Sequence, residues 1–154
     1  MEPFAHEGGP LVIVDYAHSP DALSHVLTTL NEHQPKQLLC VVGCGGNRDV
    51  GKRALMAELA ERHADRVLLT SDNPRNEAAE SIINDMLQGI HEPDKVIIEM
   101  DRAQAISRAI AAANEDDIVL VAGKGHEDYQ EVGGVRIPFS DRQVVQDCLE
   151  ARHD

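Results

Sequence analysis

Val67-Leu68-Leu69-Thr70-Ser71-Asp72-Asn73-Pro74-Arg75-Asn76-Glu77 runs from an apolar, β-branched segment into a short polar turn. Helical periodicity over residues 78–87 follows, so the stretch reads as strand, loop and helix in succession. Pro74 fixes its own φ and pushes Asn73 away from helical geometry, which makes the loop stiff. Arg75 presents a planar donor fork suited to a carboxylate, while Asp72 and Asn73 offer acceptors suited to an ammonium group. A small zwitterion matches that pair of charges. A solvated turn with Asn76 opening the helix is the plainer reading of residues 70–77, and it stays open at this level.

Outward from this unit the same alternation recurs. Residues 11–14 form a strand candidate, and Ser19 as N-cap with Pro20 at the first helical position opens a helix with Leu23, Val26, Leu27 and Leu30 on one face. Residues 37–42 are a second strand, followed by a helix over residues 54–63. A strand over residues 95–100 follows the break at Pro93, and Asp101 with Gln104 forms a capping box for an Ala-rich helix. Residues 117–122 make another strand. Gly133-Gly134 between residues 129–132 and 135–139 signals a hairpin, and Ser140 with Gln143 caps a final helix. Residues 1–10 read as a trimmed edge without an element of their own. The expected fold is α/β: a Rossmann-like, doubly wound, mostly parallel sheet with an antiparallel edge hairpin, in a single domain over residues 1–154. In such sheets ligands sit outside the carboxyl ends of the strands, where four polar loops of this chain lie.

Composition narrows the function classes. The chain has 154 residues, 42% of them hydrophobic with no Trp, so the core is aliphatic. A formal net charge of −13 argues against general affinity for nucleic acid or for an anionic membrane. Neither a bilayer-spanning apolar run nor a signal-peptide pattern is present, so the expected location is cytoplasmic. Cys40, Cys44 and Cys148 lack the spacing of a disulfide framework or zinc site.

The loop motifs carry more. Gly46-Asn47-Arg48-Asp49-Val50-Gly51-Lys52-Arg53 follows the phosphate-loop pattern until its last position, where Arg53 replaces the hydroxyl that magnesium requires. Arg48 reads as a ligand-facing cation, whereas Lys52 and Arg53 read as the solvated first turn of a helix. Asp15 and His18 offer an acceptor for a ribose hydroxyl and an imidazole for a phosphate, although loop residues of these types are commonly surface groups. Gly123-Lys124-Gly125-His126-Glu127 permits close backbone approach and ends in an acceptor. Its consecutive side chains are poor geometry for a metal site. No nucleophile stands beside a base, so no catalytic residue is assigned in this chain and covalent catalysis is not expected.

Read together, residues 14–23, Gly43-Cys44-Gly45-Gly46-Asn47-Arg48-Asp49, Asp72-Asn73-Pro74-Arg75 and residues 122–130 resemble the C-terminal domain of the Mur ligases, in the branch that uses meso-diaminopimelate. The resemblance covers nearly the whole chain, and lysine-adding relatives generally lack the Arg of the third motif. It implies an ATP-dependent amide ligation in peptidoglycan synthesis. ATP phosphorylates the carboxylate of UDP-MurNAc-L-Ala-D-Glu, and the amine of meso-diaminopimelate attacks the acyl phosphate. By the same resemblance Arg48, Asp72, Asn73, Pro74, Arg75, Gly123 and Glu127 hold meso-diaminopimelate, while Asp15 and His18 approach the ribose and phosphate side of ATP. ATP and magnesium belong to the full-length enzyme, with neither held by this domain alone. A lysine ligand would leave the Arg75 guanidinium unpaired, at a cost on the order of 2 to 5 kcal/mol. The sequence departs from the family by lacking a G-K-[ST] phosphate loop and the UDP-binding region, so an excised domain, inactive alone, is expected. The alternatives are a free-standing binding module for a zwitterion or nucleotide, and a receiver-like domain phosphorylated on Asp15 or Asp72.

Overall fold

Six strands form one sheet because their apolar residues alternate between two faces, each of which is then covered by helices. The computed structural model of the chain describes residues 1–47 and 49–153. Arg48 therefore lies outside the described residues. In chain order the elements are β1 (Glu2–Phe4), β2 (Leu11–Asp15), α1 (Pro20–Asn31), β3 (Leu38–Val42), α2 (Gly51–His63), β4 (Arg66–Leu69) and α3 (Ala79–Leu87). A 3-10 turn at Pro93–Lys95 then leads to β5 (Val96–Ile98), α4 (Arg102–Ala112), β6 (Ile118–Ala122), β7 (Tyr129–Val132), β8 (Val135–Pro138) and α5 (Asp141–His153).

The strand order is β1-β2-β6-β3-β4-β5, with β2, β6, β3, β4 and β5 parallel and β1 antiparallel to β2. Period-2 patterning divides the core. Leu38, Cys40, Val42, Val67, Leu69 and Leu120 pack on one side with residues of α1, α2 and α3, whereas Leu39, Val41, Leu68, Val119 and Val121 pack on the other with α4 and α5. The expected mostly parallel, doubly wound α/β fold is the one observed.

Two expectations about the edges are corrected. The antiparallel edge strand is β1, within the segment read as a trimmed end, and the hairpin β7–β8 forms a two-stranded ribbon of its own. Topology explains this. β6 lies between β2 and β3, so a hairpin that follows it after six residues cannot reach either sheet edge and stands off the carboxyl end instead.

Caps were more legible. Ser19 Oγ accepts from the Ala22 N–H at 3.3 Å, Asp101 from Gln104 at 3.2 Å, and Ser140 from Gln143 at 3.2 Å. The Asp101 N–H is met by Glu99 at 3.4 Å. Helix α2 begins one turn before the expected Ala54, because the Asp49 carboxylate accepts from Gly51 N–H at 2.9 Å and starts the helix there.

Candidate functional site

The loops after β2, β3, β4 and β6 leave four adjacent parallel strands at the same end of the sheet. They enclose a cavity of about 280 Å³, a volume that suits a small polar metabolite. Its wall includes His18, Asp72, Asn73, Arg75, Gly123 and Glu127. Pro74 and Asp15 are not part of that wall. Pro74 stiffens the turn behind it, while Asp15 accepts from Ala17 N–H through Oδ2 and from the terminal ammonium of Met1 through Oδ1, both at 2.9 Å.

Lys124 organises the wall from inside. It is 0% exposed, and its Nζ donates to Asp72 Oδ1 at 3.1 Å, Asn73 Oδ1 at 2.8 Å and Glu127 Oε1 at 3.2 Å. All three ammonium protons thus have acceptors, and two carboxylates share one internal counter-ion. Asn73 Nδ2 adds a bond to Glu127 Oε1 at 3.3 Å. On the two carboxylates these bonds fall on Asp72 Oδ1 and Glu127 Oε1. Gly123 is needed where it stands, with φ at +116° and room for a Cβ only 2.9 Å from Asp72 Oδ2.

A second cation lies one layer deeper. Arg102 and Asp141 are both buried and pair twice, Nε to Oδ1 at 2.7 Å and Nη2 to Oδ2 at 2.8 Å. The same guanidinium donates to the carbonyls of Ser71 and Ala122, at the carboxyl ends of β4 and β6. Burial pushes the Arg102 pKa down, but the charge and hydrogen bonds of Asp141 outweigh it and the net direction is upward.

Arg75 differs from its expected state. Its Nε meets Glu131 Oε2 at 3.2 Å and its Nη1 donates to Gly46 O at 2.9 Å, so the guanidinium is not an orphan awaiting a ligand. The penalty expected with lysine bound shrinks accordingly. The residue has φ at +55°, a left-handed conformation that costs a side-chain-bearing residue about 1 kcal/mol. Hydrogen bonds from Arg75 N–H to Glu131 O at 2.8 Å and from Gly133 N–H to Arg75 O at 2.7 Å hold it there.

The Gly-rich loop after β3 is closed on protein. A Cβ on Gly46 would overlap the Pro74 carbonyl, and Gly46 N–H already donates to Asn73 O at 2.7 Å. Asn47 N–H donates to Glu77 at 2.6 Å. The Gly46 and Asn47 amides, which a phosphate loop would turn toward its ligand, are therefore spent within the chain.

Arg53 requires a correction. It is 1% exposed, not solvated: it pairs with both oxygens of Glu77, at 3.1 and 2.6 Å, with Asp85 at 2.9 Å, and with Gly45 O. Arg53, through its hydrogen bond first and Asn47 N–H second, holds the Glu77 carboxyl below the usual carboxylate range. Lys52 is half-buried and reaches His18 O at 3.4 Å. His18 Nδ1 lies 2.8 Å from Tyr16 O, which leaves Nε2 as the outward nitrogen. Cys44 lines the cavity, yet burial and then the nearby Asp72 charge push its thiol up to about 12, so it is no nucleophile at neutral pH. Among the described residues no group of three His, Cys, Asp or Glu side chains converges on a metal position, and no helix is long and apolar enough to cross a membrane.

Sequence reasoning missed Lys124, Arg102 and Glu131 as parts of this arrangement. For Lys124 a signal existed: a lysine between two glycines, directly after an all-apolar strand, has little room to reach water.

Fold and cavity together define a doubly wound α/β domain that gathers four strand-end loops around one polar, amino-acid-sized space. Residues 1–125 match the model described as "Mur ligase, glutamate ligase domain", and the chain belongs to the Mur ligase family. Over 92% of its length it is 57% identical to the UDP-N-acetylmuramoyl-L-alanyl-D-glutamate--2,6-diaminopimelate ligase of Pseudomonas aeruginosa. Over 90% it is 56% identical to the ligase of the same name from Aquifex aeolicus. The chain spans 29% of the length of each of these relatives. A solved structure of a ligase of this name superimposes on the whole chain with a TM-score of 0.94 at 47% identity, the match covering 32% of that structure.

Proposed function

We propose that the chain is the amino-acid-binding C-terminal domain, a single domain over its described length, of a cytoplasmic, ATP-dependent amide ligase. The full enzyme adds meso-diaminopimelate to UDP-MurNAc-L-Ala-D-Glu. The observation that carries the reading is the convergence of Asp72, Asn73, Arg75, Gly123 and Glu127, from loops 48 to 55 residues apart, on one cavity that carries both signs of charge. The names of the relatives, at more than half identity, point to the same amino acid.

In this reading the ligand's zwitterionic end meets the carboxylates through its ammonium. Lys124 occupies Asp72 Oδ1 and Glu127 Oε1, so Oδ2 and Oε2 are the acceptors offered to the incoming group. Nη2 of Arg75, with Nη1 already given to Gly46 O and Asn73 O, takes a ligand carboxylate through a charge-assisted hydrogen bond. Pro74 acts through the rigidity of its turn. ATP, with magnesium in the full-length enzyme, supplies the activation of the acceptor carboxylate. His18 Nε2 fits an approach to its phosphates, while Asp15, at the end of β2, is the acceptor for the ribose. Residues of this chain hold and orient the amine; the chemistry of activation lies elsewhere.

The test is a titration of the isotopically labelled chain with meso-diaminopimelate and, separately, L-lysine. Saturable amide shifts at Arg75, Gly123 and Glu127 with diaminopimelate, much weaker with lysine, are expected. Equal affinity for the two amino acids would refute the assignment of Arg75.

A further inference from the structure

We infer that Glu131, on the hairpin, is the positioning residue that makes Arg75 selective for a ligand bearing a second carboxylate; this rests on the function proposed above. The wall of the cavity includes Arg75 and not Glu131, so Glu131 acts through the guanidinium.

The hairpin has no sheet to lean on, and its tethers run to the loop after β4. Gln130 Nε2 donates to Ser71 Oγ at 3.2 Å and Asp72 O at 2.8 Å, and Glu131 N–H donates to Asn73 Oδ1 at 3.0 Å. Arg75 N–H and Gly133 N–H complete a short parallel bridge that includes Val132. These bonds fix the backbone from which Arg75 departs. Its head is held by an ion pair, Nε to Glu131 Oε2 at 3.2 Å, and by Nη1, which donates to Gly46 O at 2.9 Å and Asn73 O at 3.5 Å. A guanidinium held at Nε and Nη1 presents Nη2 as the donor available to a carboxylate.

Two effects of Glu131 oppose one another. Its negative charge disfavours an incoming carboxylate, whereas its ion pair with Nε removes the entropy cost of ordering a long side chain at binding. The charge effect is moderated by Arg136, whose Nε stands 3.7 Å from Glu131 Oε1 and whose guanidinium covers the Tyr129 ring at 4.3 Å. Positioning therefore dominates, and its loss should weaken the acidic ligand by about fivefold to tenfold.

The experiment compares the parent chain with Glu131→Ala and Glu131→Gln, measuring dissociation constants for meso-diaminopimelate and L-lysine and the Arg75 Nε–H resonance. In the parent that proton should give a single sharp line, as in an ordered side chain. Glu131→Ala should broaden it and lower the preference for diaminopimelate over lysine by about fivefold to tenfold, with lysine affinity unchanged. Glu131→Gln, which removes the charge from the ion pair but keeps a polar group near Nε, should fall between the parent and Glu131→Ala. An unchanged preference in Glu131→Ala, or tighter diaminopimelate binding in both variants, overturns the inference while leaving the function standing. A parent chain that binds neither amino acid overturns the proposed function and this inference with it.

Discussion

Arg102 with Asp141 and Arg75 with Glu131 are the same chemical pair placed at two depths. The first is fully buried, bidentate and surrounded by strand-end carbonyls; the second is single, longer and open to a cavity. The deep pair spends the donors it points at carboxylate and carbonyl, so it can only join elements: α4 to α5, and both to the ends of β4 and β6. The shallow pair keeps part of its fork unspent, which is what recognition needs. Burial decides whether an arginine serves the fold or a ligand. Lys124 falls between the two, buried like Arg102 but bonded to three residues that line the cavity.

That comparison can be broken at each depth. Asp141→Ala should have the largest effect, since it leaves the Arg102 guanidinium buried without its partner; a stability loss of about 3 to 5 kcal/mol is expected, read as a fall in the denaturant midpoint. A loss below 1 kcal/mol would mean that the deep pair is not structural. Lys124→Met should come next, at about 2 kcal/mol, because it strips a donor from three acceptors at once. Binding of either amino acid should vanish with it, and a stable variant that still bound would remove Lys124 from the site. Arg75→Ala should lower stability by less than about 1 kcal/mol while weakening diaminopimelate by roughly 30-fold and leaving lysine unaffected, as titration calorimetry would register. Large destabilisation here would make the shallow pair resemble the deep one.

The smallest effect expected is a pH effect at Glu77. Its pKa is lower in the folded chain than in the unfolded one, chiefly through the Arg53 hydrogen bond. Its contribution is therefore present above the ordinary glutamate value of about 4.3 and lost as pH falls through the folded value. Between pH 5 and 3 the parent's denaturant midpoint should fall more steeply than that of Glu77→Gln. Parallel slopes would show that the Arg53 network adds no acid sensitivity.

Much of this was written in short-range patterns. Apolar runs with β-branched residues marked the strands, Ser19-Pro20, Asp101 and Ser140 marked helix starts, and the strand–helix alternation fixed a parallel sheet with its polar loops on one rim. Asp72, Asn73, Arg75, Gly123 and Glu127 were legible as candidates for the same reason: each stands in a loop that the alternation sends to that rim. The first strand escaped notice because three residues, Glu2–Phe4, are too few for a period.

Which charges are buried was not legible locally. Arg53 looked like the solvated start of a helix, and only its meeting with Glu77 and Asp85, 24 and 32 residues away, makes it an internal clamp. Lys124 depends in the same way on Asp72, 52 residues distant. The sequence by itself determined the elements, their order and the composition of the rim, because these follow from side-chain periodicity and backbone preference within a few residues. Only the tertiary structure decided the partner of each cation, the detached hairpin and the left-handed turn at Arg75, because desolvation and pairing depend on what distant segments bring within about 3 Å.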